Sequence, residues 1–299
     1  MRPHREIVSG GKSIAPLCAV LGILLVPGGG MAQNITMQDG GSTAIINPGN
    51  GSGDLGMNNW SVDTINQNQL NEQWFWYSVA SVNGGVAQSI DTIGGLNVQN
   101  NNYGSEGLNE VTLTYANALL SVNVEYTLSG GGDGSGSADL TESIWIDNNS
   151  ASSLTLNFYQ YSNFNLLQNN NNRVNISGSA GAYTGAMQTT GGPGGSGIAE
   201  VIQEPNATYA EANYANAGIN STLYKLNNTA NLTLDDNTSA GMGNVTWAFQ
   251  WTTTILPGGE FDIYKDKGLS ITAVPEPSTV TFVALGLGAL GLAFRRRLS

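Results

Sequence analysis

Cysteine and histidine are almost absent from the 299 residues: the chain holds Cys18 and His4 and no others. Both lie within the first 32 residues. The remainder can therefore form no disulfide framework, and it offers no thiolate or imidazole for nucleophilic catalysis, zinc ligation or a Ser-His-Asp triad. Positive charge is nearly as scarce, with 10 Lys and Arg against 22 Asp and Glu. Six of those ten sit at the two ends, which leaves Arg173, Lys225, Lys265 and Lys267 against 20 carboxylates across residues 33–273, a net of −16. Such a body repels nucleic acid and anionic lipid, because binding to either rests on cationic side chains that displace counterions. Sustained helical periodicity is missing between the ends as well. Any chemistry must come from carboxylates, lysine, tyrosine or oxygen-bound cations; no cofactor and no metal site are expected.

The two ends carry the long apolar runs that the body lacks. Arg2, Arg5 and Lys12 precede an apolar stretch over residues 14–26, which breaks at Pro27-Gly28-Gly29-Gly30-Met31-Ala32. A cationic start, a short apolar core and small residues before a break are the layout of a signal peptide, with cleavage expected between Ala32 and Gln33. About 13 apolar residues are too few for a permanent span, which needs about 20. Cys18 lies inside that run, behind Ala15-Pro16-Leu17, and reads as a small apolar residue rather than a lipid anchor.

At the other end Val274-Pro275-Glu276-Pro277-Ser278 is followed by a Gly-spaced apolar stretch over 279–294 and then Arg295-Arg296-Arg297. Each proline keeps the residue before it extended, so Glu276 is held in an accessible, protease-ready segment. The arginines fix the cytoplasmic end of the apolar stretch and leave the rest of the chain outside. These residues together resemble the PEP-CTERM sorting signal of many Gram-negative bacteria. The resemblance covers about the last 26 residues. It implies export, transient retention in the inner membrane, processing by an exosortase-type enzyme, and delivery to the cell surface or to an exopolysaccharide-rich matrix. It implies no particular activity for the body.

Between the ends, residues 33–273 read as one extracellular all-β domain, a β-sandwich or jelly-roll-like double sheet, with 274–299 as the sorting tail and its transmembrane helix. Gly is abundant, 40 of 299, and clusters with Asn, Ser and Asp over 47–53, 130–137 and 191–197, which marks turns. Between the turns the period is two. Leu120, Val122, Val124, Tyr126 and Leu128 alternate with polar residues, and Val245, Trp247, Phe249, Trp251, Thr253 and Ile255 form a similar set, each predicting a strand with one buried face. Residues 73–79, with Trp74-Phe75-Trp76-Tyr77, are apolar on both faces and predict a central strand. Further strands are expected over 60–65, 111–115, 140–147, 154–161, 198–203, 221–226, 231–235, 260–264 and 269–272.

Candidate sites in the body are fewer. The run from Asp133 to Glu142 spaces its oxygens like a calcium loop but has Ala138 and Ile144 where an EF-hand needs Gly and Glu, so it reads as a hairpin turn. Glu142, Asp147, Glu200 and Glu204 could supply a carboxylate pair for a glycan hydrolase or lyase. Trp74, Trp76 and Trp145 could stack on sugar rings, though a core without disulfides also needs large side chains. The reading that results is a non-enzymatic surface or matrix protein. A carbohydrate-binding module is the first alternative and a carboxylate-dependent glycan enzyme the second.

Overall fold

The computed structural model describes residues 33–49, 55–63, 65–101, 107–191 and 195–271. The expected signal peptide up to Ala32 and the tail with Val274, Pro275, Glu276, Pro277 and Arg295 to Arg297 lie outside the described residues. Among the described residues no helix is long and apolar enough to cross a membrane.

The chain opens with a meander of β1 (Ile35–Asp39), β2 (Ser42–Asn47), β3 (Gly56–Val62) and β4 (Leu70–Val79), then a two-residue β5 (Gln88–Ser89). A second meander follows in β6 (Asn97–Asn100), β7 (Glu110–Ala116), β8 (Leu120–Gly130) and β9 (Ser137–Asn148). Next come β10 (Leu154–Phe164), β11 (Asn172–Ser179), β12 (Ala182–Thr190), β13 (Gly197–Glu204) and β14 (Tyr209–Tyr214). One short helix, α1 (Thr222–Asn228), precedes β15 (Ser239–Gly243), β16 (Val245–Ile255) and β17 (Glu260–Ser270).

These strands make two antiparallel sheets packed as a sandwich. The eight-stranded sheet runs β1-β2-β3-β4-β10-β16-β14, with β5 beside β4, and the nine-stranded sheet runs β15-β11-β12-β13-β17-β9-β8-β7-β6. Neighbours in sequence are mostly neighbours in a sheet, because the Gly-rich turns are short enough to close hairpins. The exceptions, β4-β10-β16-β14 in one sheet and β15-β11, β13-β17 and β17-β9 in the other, join strands distant in sequence at the middle of the double sheet. Gly130 shows how tight the corners are: a Cβ there would lie 1.8 Å from the carbonyl oxygen of Asp39.

The core lies between the sheets, and aromatic rings fill it. Phe75 stacks on Phe158 with ring centres 5.6 Å apart, and Phe164 stacks on Trp247 at 5.4 Å. The inward set of β8, from Leu120 to Leu128, is buried as the alternation predicts. In β16 the expectation of one buried face fails, since every residue from Val245 to Trp251 is buried. A third layer accounts for it. The outer face of the eight-stranded sheet is covered by α1 and the extended chain after it, where the Tyr159 hydroxyl donates to the Leu232 carbonyl at 2.7 Å and Leu234 N–H donates to Gln250 Oε1 at 3.0 Å.

That covering layer holds the two misread strands. Residues 221–226 are α1, with the Ser221 hydroxyl capping its start by accepting from Tyr224 N–H at 3.3 Å. A helix of seven residues is less than two turns long, too short to show a 3.6-residue period. Residues 231–235 do alternate, with Leu232 and Leu234 buried, but they pair with side chains and not with a neighbouring strand. The expected breaks at 264–269 are also absent, because β17 runs unbroken through Lys265-Asp266-Lys267.

Candidate functional site

β9 and β17 lie side by side in the nine-stranded sheet, and the two faces of this pair have opposite character. Because side chains alternate, the register sets Lys265 against Glu142 on the inward face, and Asp262 against Trp145 and Tyr264 against Ser143 on the outward one. β13 adds Glu200 opposite Lys267, and β8 adds Asn123 opposite Trp145.

Outward, no residue of β7, β8, β9 or β17 is fully buried, so this face is open as far as the described residues go. Trp145 stands in its middle and is half-buried, while Trp60, Trp74, Trp76, Trp247 and Trp251 are all buried. Tyr264 is its diagonal cross-strand neighbour, a spacing of about 7–8 Å between backbones that lets large rings share one surface. Small polar side chains surround the two rings. Thr114 donates to Asn123 Oδ1 at 2.8 Å, and Ser121 and Asn123 donate to Asp147 Oδ2 at 2.9 and 3.3 Å. Asp262 Oδ1, opposite Trp145, accepts no hydrogen bond from a described residue.

The outward face also collects carboxylates: Glu110, Glu125, Asp139, Asp147, Glu260, Asp262 and Asp266 share its parity. Among the described residues no lysine or arginine forms an ion pair with them. Their titration responds accordingly. Asp139 is pushed up to about 6 by partial burial and by the hydrogen bond and charge of Asp266. Glu125 is raised by burial and Glu110, and Glu260 by the charge of Asp262 first and then by desolvation and Asp147. At the end of the strands, Asp139 lines a shallow cleft of about 430 Å³ with Ser129, Ser137 and Gly268.

Inward, four charged side chains are completely buried together. Lys265 pairs with Glu142, and its ammonium lies 3.4 Å from Glu200 Oε1, while Lys267 lies 2.5 Å from Glu142 and 3.5 Å from Glu200. The Lys267 contact is an ion pair without hydrogen-bond geometry. Lys265 also donates to Gln160 Oε1, from β10 of the opposite sheet, and sits 4.9 Å above the Phe75 ring. Glu200 Oε2 accepts from Gln160 Nε2 and from the Trp247 indole, each at 2.8 Å. Burial opposes ionisation of Glu142, but Lys265 and Lys267 outweigh it and hold the carboxyl below its usual range.

The expected site residues therefore separate. Trp74 and Trp76 are corrected to core and covering contacts: Trp74 donates to Ser89 Oγ at 2.7 Å, and Trp76 donates to Asn227 of α1 at 3.2 Å. Neither ring has a face free for a sugar. Trp145 does. Of the carboxylates considered for glycan cleavage, Glu142 and Glu200 converge, but inside the sandwich and neutralised by lysines. Asp147 and Glu204 are not brought to them. The buried quartet was missed from sequence although a signal existed: in β17 the inward parity reads Ile263, Lys265, Lys267, Leu269, with charges where apolar residues are due.

Residues 273–297 match the PEP-CTERM protein-sorting motif. No curated protein matches the chain. Among solved structures, a bacterial glucoamylase complexed with acarbose superimposes with a TM-score of 0.53 at 12% identity, over 81% of this chain and 34% of that one. This chain thus spans about a third of the glucoamylase's length. A putative aldose 1-epimerase from Escherichia coli K12 gives 0.48 at 10% identity, over 81% of this chain and 99% of that one. A polysaccharide lyase gives 0.45 at 11% identity, over 81% and 33%. At such identities the glucoamylase likeness concerns the β-sandwich fold alone.

Proposed function

We propose that this chain is an exported surface or matrix protein, sorted through its C-terminal motif by an exosortase-type enzyme, whose open sheet face binds polysaccharide of the surrounding matrix. One observation supports the binding role above the others: of six tryptophans, Trp145 alone is not buried, and it stands on the outward sheet face beside Tyr264 and among hydroxyl, amide and carboxylate groups. Aromatic faces suit the apolar faces of sugar rings, and the side chains around Trp145 offer donors and acceptors to the hydroxyls. The surplus of carboxylates favours neutral or amine-bearing polymers over acidic ones. Affinity electrophoresis of the body in gels containing each polymer class tests the reading. Trp145→Ala should weaken retardation about tenfold, the loss of about 1.4 kcal/mol that one stacked ring can supply. Retardation unchanged by the substitution would remove Trp145 from the site.

The sorting role has its own test. Replacing Pro275, Glu276 and Pro277 with alanine should leave export intact and trap the full-length form in the inner membrane, since the scissile region loses its extended shape and charge. Deleting Arg295 to Arg297 should instead weaken retention or invert the tail. Fractionation of the host with an antibody to the body distinguishes the two, and normal shortening of the alanine variant would refute sorting through the motif.

A further inference from the structure

The buried quartet has no part in the outward face, and burying four charges is costly unless something is gained by it. Its arrangement holds a feature that ion pairing alone does not require. The Lys265 amine rests against a side-chain carboxamide, that of Gln160, and a carboxylate, Glu200, touches both: 2.8 Å from Gln160 Nε2 and 3.4 Å from Lys265 Nζ. All three side chains are fully buried, walled by Phe75 and Trp247. An amine, an amide and a proton carrier held together away from water are the components of an acyl transfer.

We propose that Lys265 and Gln160 form an intramolecular isopeptide bond. One proton leaves the Lys265 ammonium for Glu200, and the free amine's lone pair attacks Gln160 Cδ to form the new C–N bond. Glu200 hands that proton to Gln160 Nε2 and takes up the second proton from the nitrogen of the new C–N bond. The Cδ–Nε2 bond then breaks, and the departing ammonia takes the second proton from Glu200 and leaves as ammonium. A lysine ammonium and a primary carboxamide become a secondary amide and an ammonium ion, Glu200 ends as it began, and no oxidant or co-reactant is consumed.

The two lysines differ in the way the reaction needs. Burial and the neighbouring Lys267 charge push Lys265 below the usual lysine range despite Glu142, so the free amine is accessible to it. Burial acts on Lys267 as well, but Glu142 and Glu200 outweigh it and hold that amine charged. Lys267 thus remains as counterion to the carboxylates. Gln160 lies in the middle of the eight-stranded sheet and Lys265 in the middle of the nine-stranded one, so the bond would join the sheets at their centre. The chain downstream of Cys18 has no cysteine with which to make such a staple by disulfide.

Peptide mapping of the exported protein by tandem mass spectrometry tests the bond. The expected result is a branched peptide joining the segments of Gln160 and Lys265, lighter by one ammonia than its parts, with tryptic cleavage after Lys265 lost. Recovery of free Lys265 and unmodified Gln160 from the folded protein would overturn the proposal, and a branch formed with loss of water to Glu142 would overturn the choice of Gln160. Lys265→Arg keeps the buried charge but cannot be acylated in this way, so it should abolish the branch and lower the unfolding temperature. Persistence of the ammonia loss in Lys265→Arg would also refute the assignment. Glu200→Gln, which keeps the shape of the proton carrier but not its basicity, should leave the branch largely unformed in protein that still folds.

Discussion

The inward and outward faces of β9 and β17 are made from the same two stretches of chain, yet charge is handled in opposite ways on them. Inward, Glu142 meets Lys265 and Lys267, and each buried charge has opposite charges within 3.5 Å. Outward, Asp139 faces Asp266, and Glu260 faces Asp147 and Asp262, with no cation among the described residues to separate them. Two of the body's four cations are spent on the interior, and Lys225 is held by Glu211 and Asp235 at 2.5 and 2.7 Å. Arg173 alone is left exposed and free of a described ion pair. The buried quartet is itself neutral, two lysines against Glu142 and Glu200, so the whole net of −16 remains for the other side chains and is set by composition.

The comparison is broken most severely by removing one inward charge. Lys267→Met should cost about 3–5 kcal/mol of unfolding free energy, because it leaves buried carboxylates undercompensated, and a urea titration followed by tryptophan fluorescence will show it. Trp74→Ala in the core should cost a similar amount, about 3–5 kcal/mol, whereas Trp145→Ala should cost no more than about 1 kcal/mol while weakening polysaccharide binding. Equal stability losses for the two tryptophan variants would mean that Trp145 also packs as core.

A smaller effect separates the faces by pH. The folded pKa of Glu142 is lowered, so its contribution to stability is present at neutral pH and is lost as pH falls through the folded value. Asp139 is raised to about 6, so its contribution has the other sign: it is fully present below the unfolded aspartate pKa and lost as pH rises through about 6. Asp139→Asn should therefore raise the melting temperature near pH 7 and change it little near pH 4. A uniform shift at both pH values would show that the effect is packing and not charge. The smallest expected effect is a null result: with Arg173 as the accessible cation, the body should pass through a heparin column at about 0.15 M salt.

Much of the architecture was legible in the sequence because the pattern that reveals a strand is local. Period-two alternation located β8 and β16 and gave the core-facing set of β8, while β9 was expected as a strand over 140–147. Strands with weaker alternation did not stand out, β2, β11, β12 and β15 being rich in Asn, Gly, Ser and Thr and β1 and β14 being short. Trp74 and Trp145 show where local reading stops. Each lies in a strand with apolar residues beside it, and nothing nearby in sequence says that Trp74 is packed by Ser89 and against Gly56 while Trp145 stays half-buried on the outward face.

The sequence by itself determined the all-β class, the acidity, the exclusion of cysteine and histidine chemistry downstream of the first 32 residues, and the sorting motif at the C-terminus, since each rests on composition or on residues adjacent in the chain. Only the tertiary structure decided which tryptophan stays out of the core, and that Glu142, Gln160, Glu200 and Lys265 meet at one point. Those four come from four strands in two sheets, and Lys265 is 105 residues from Gln160. Contacts at that separation are set by sheet register and sheet-on-sheet packing, which no local pattern records.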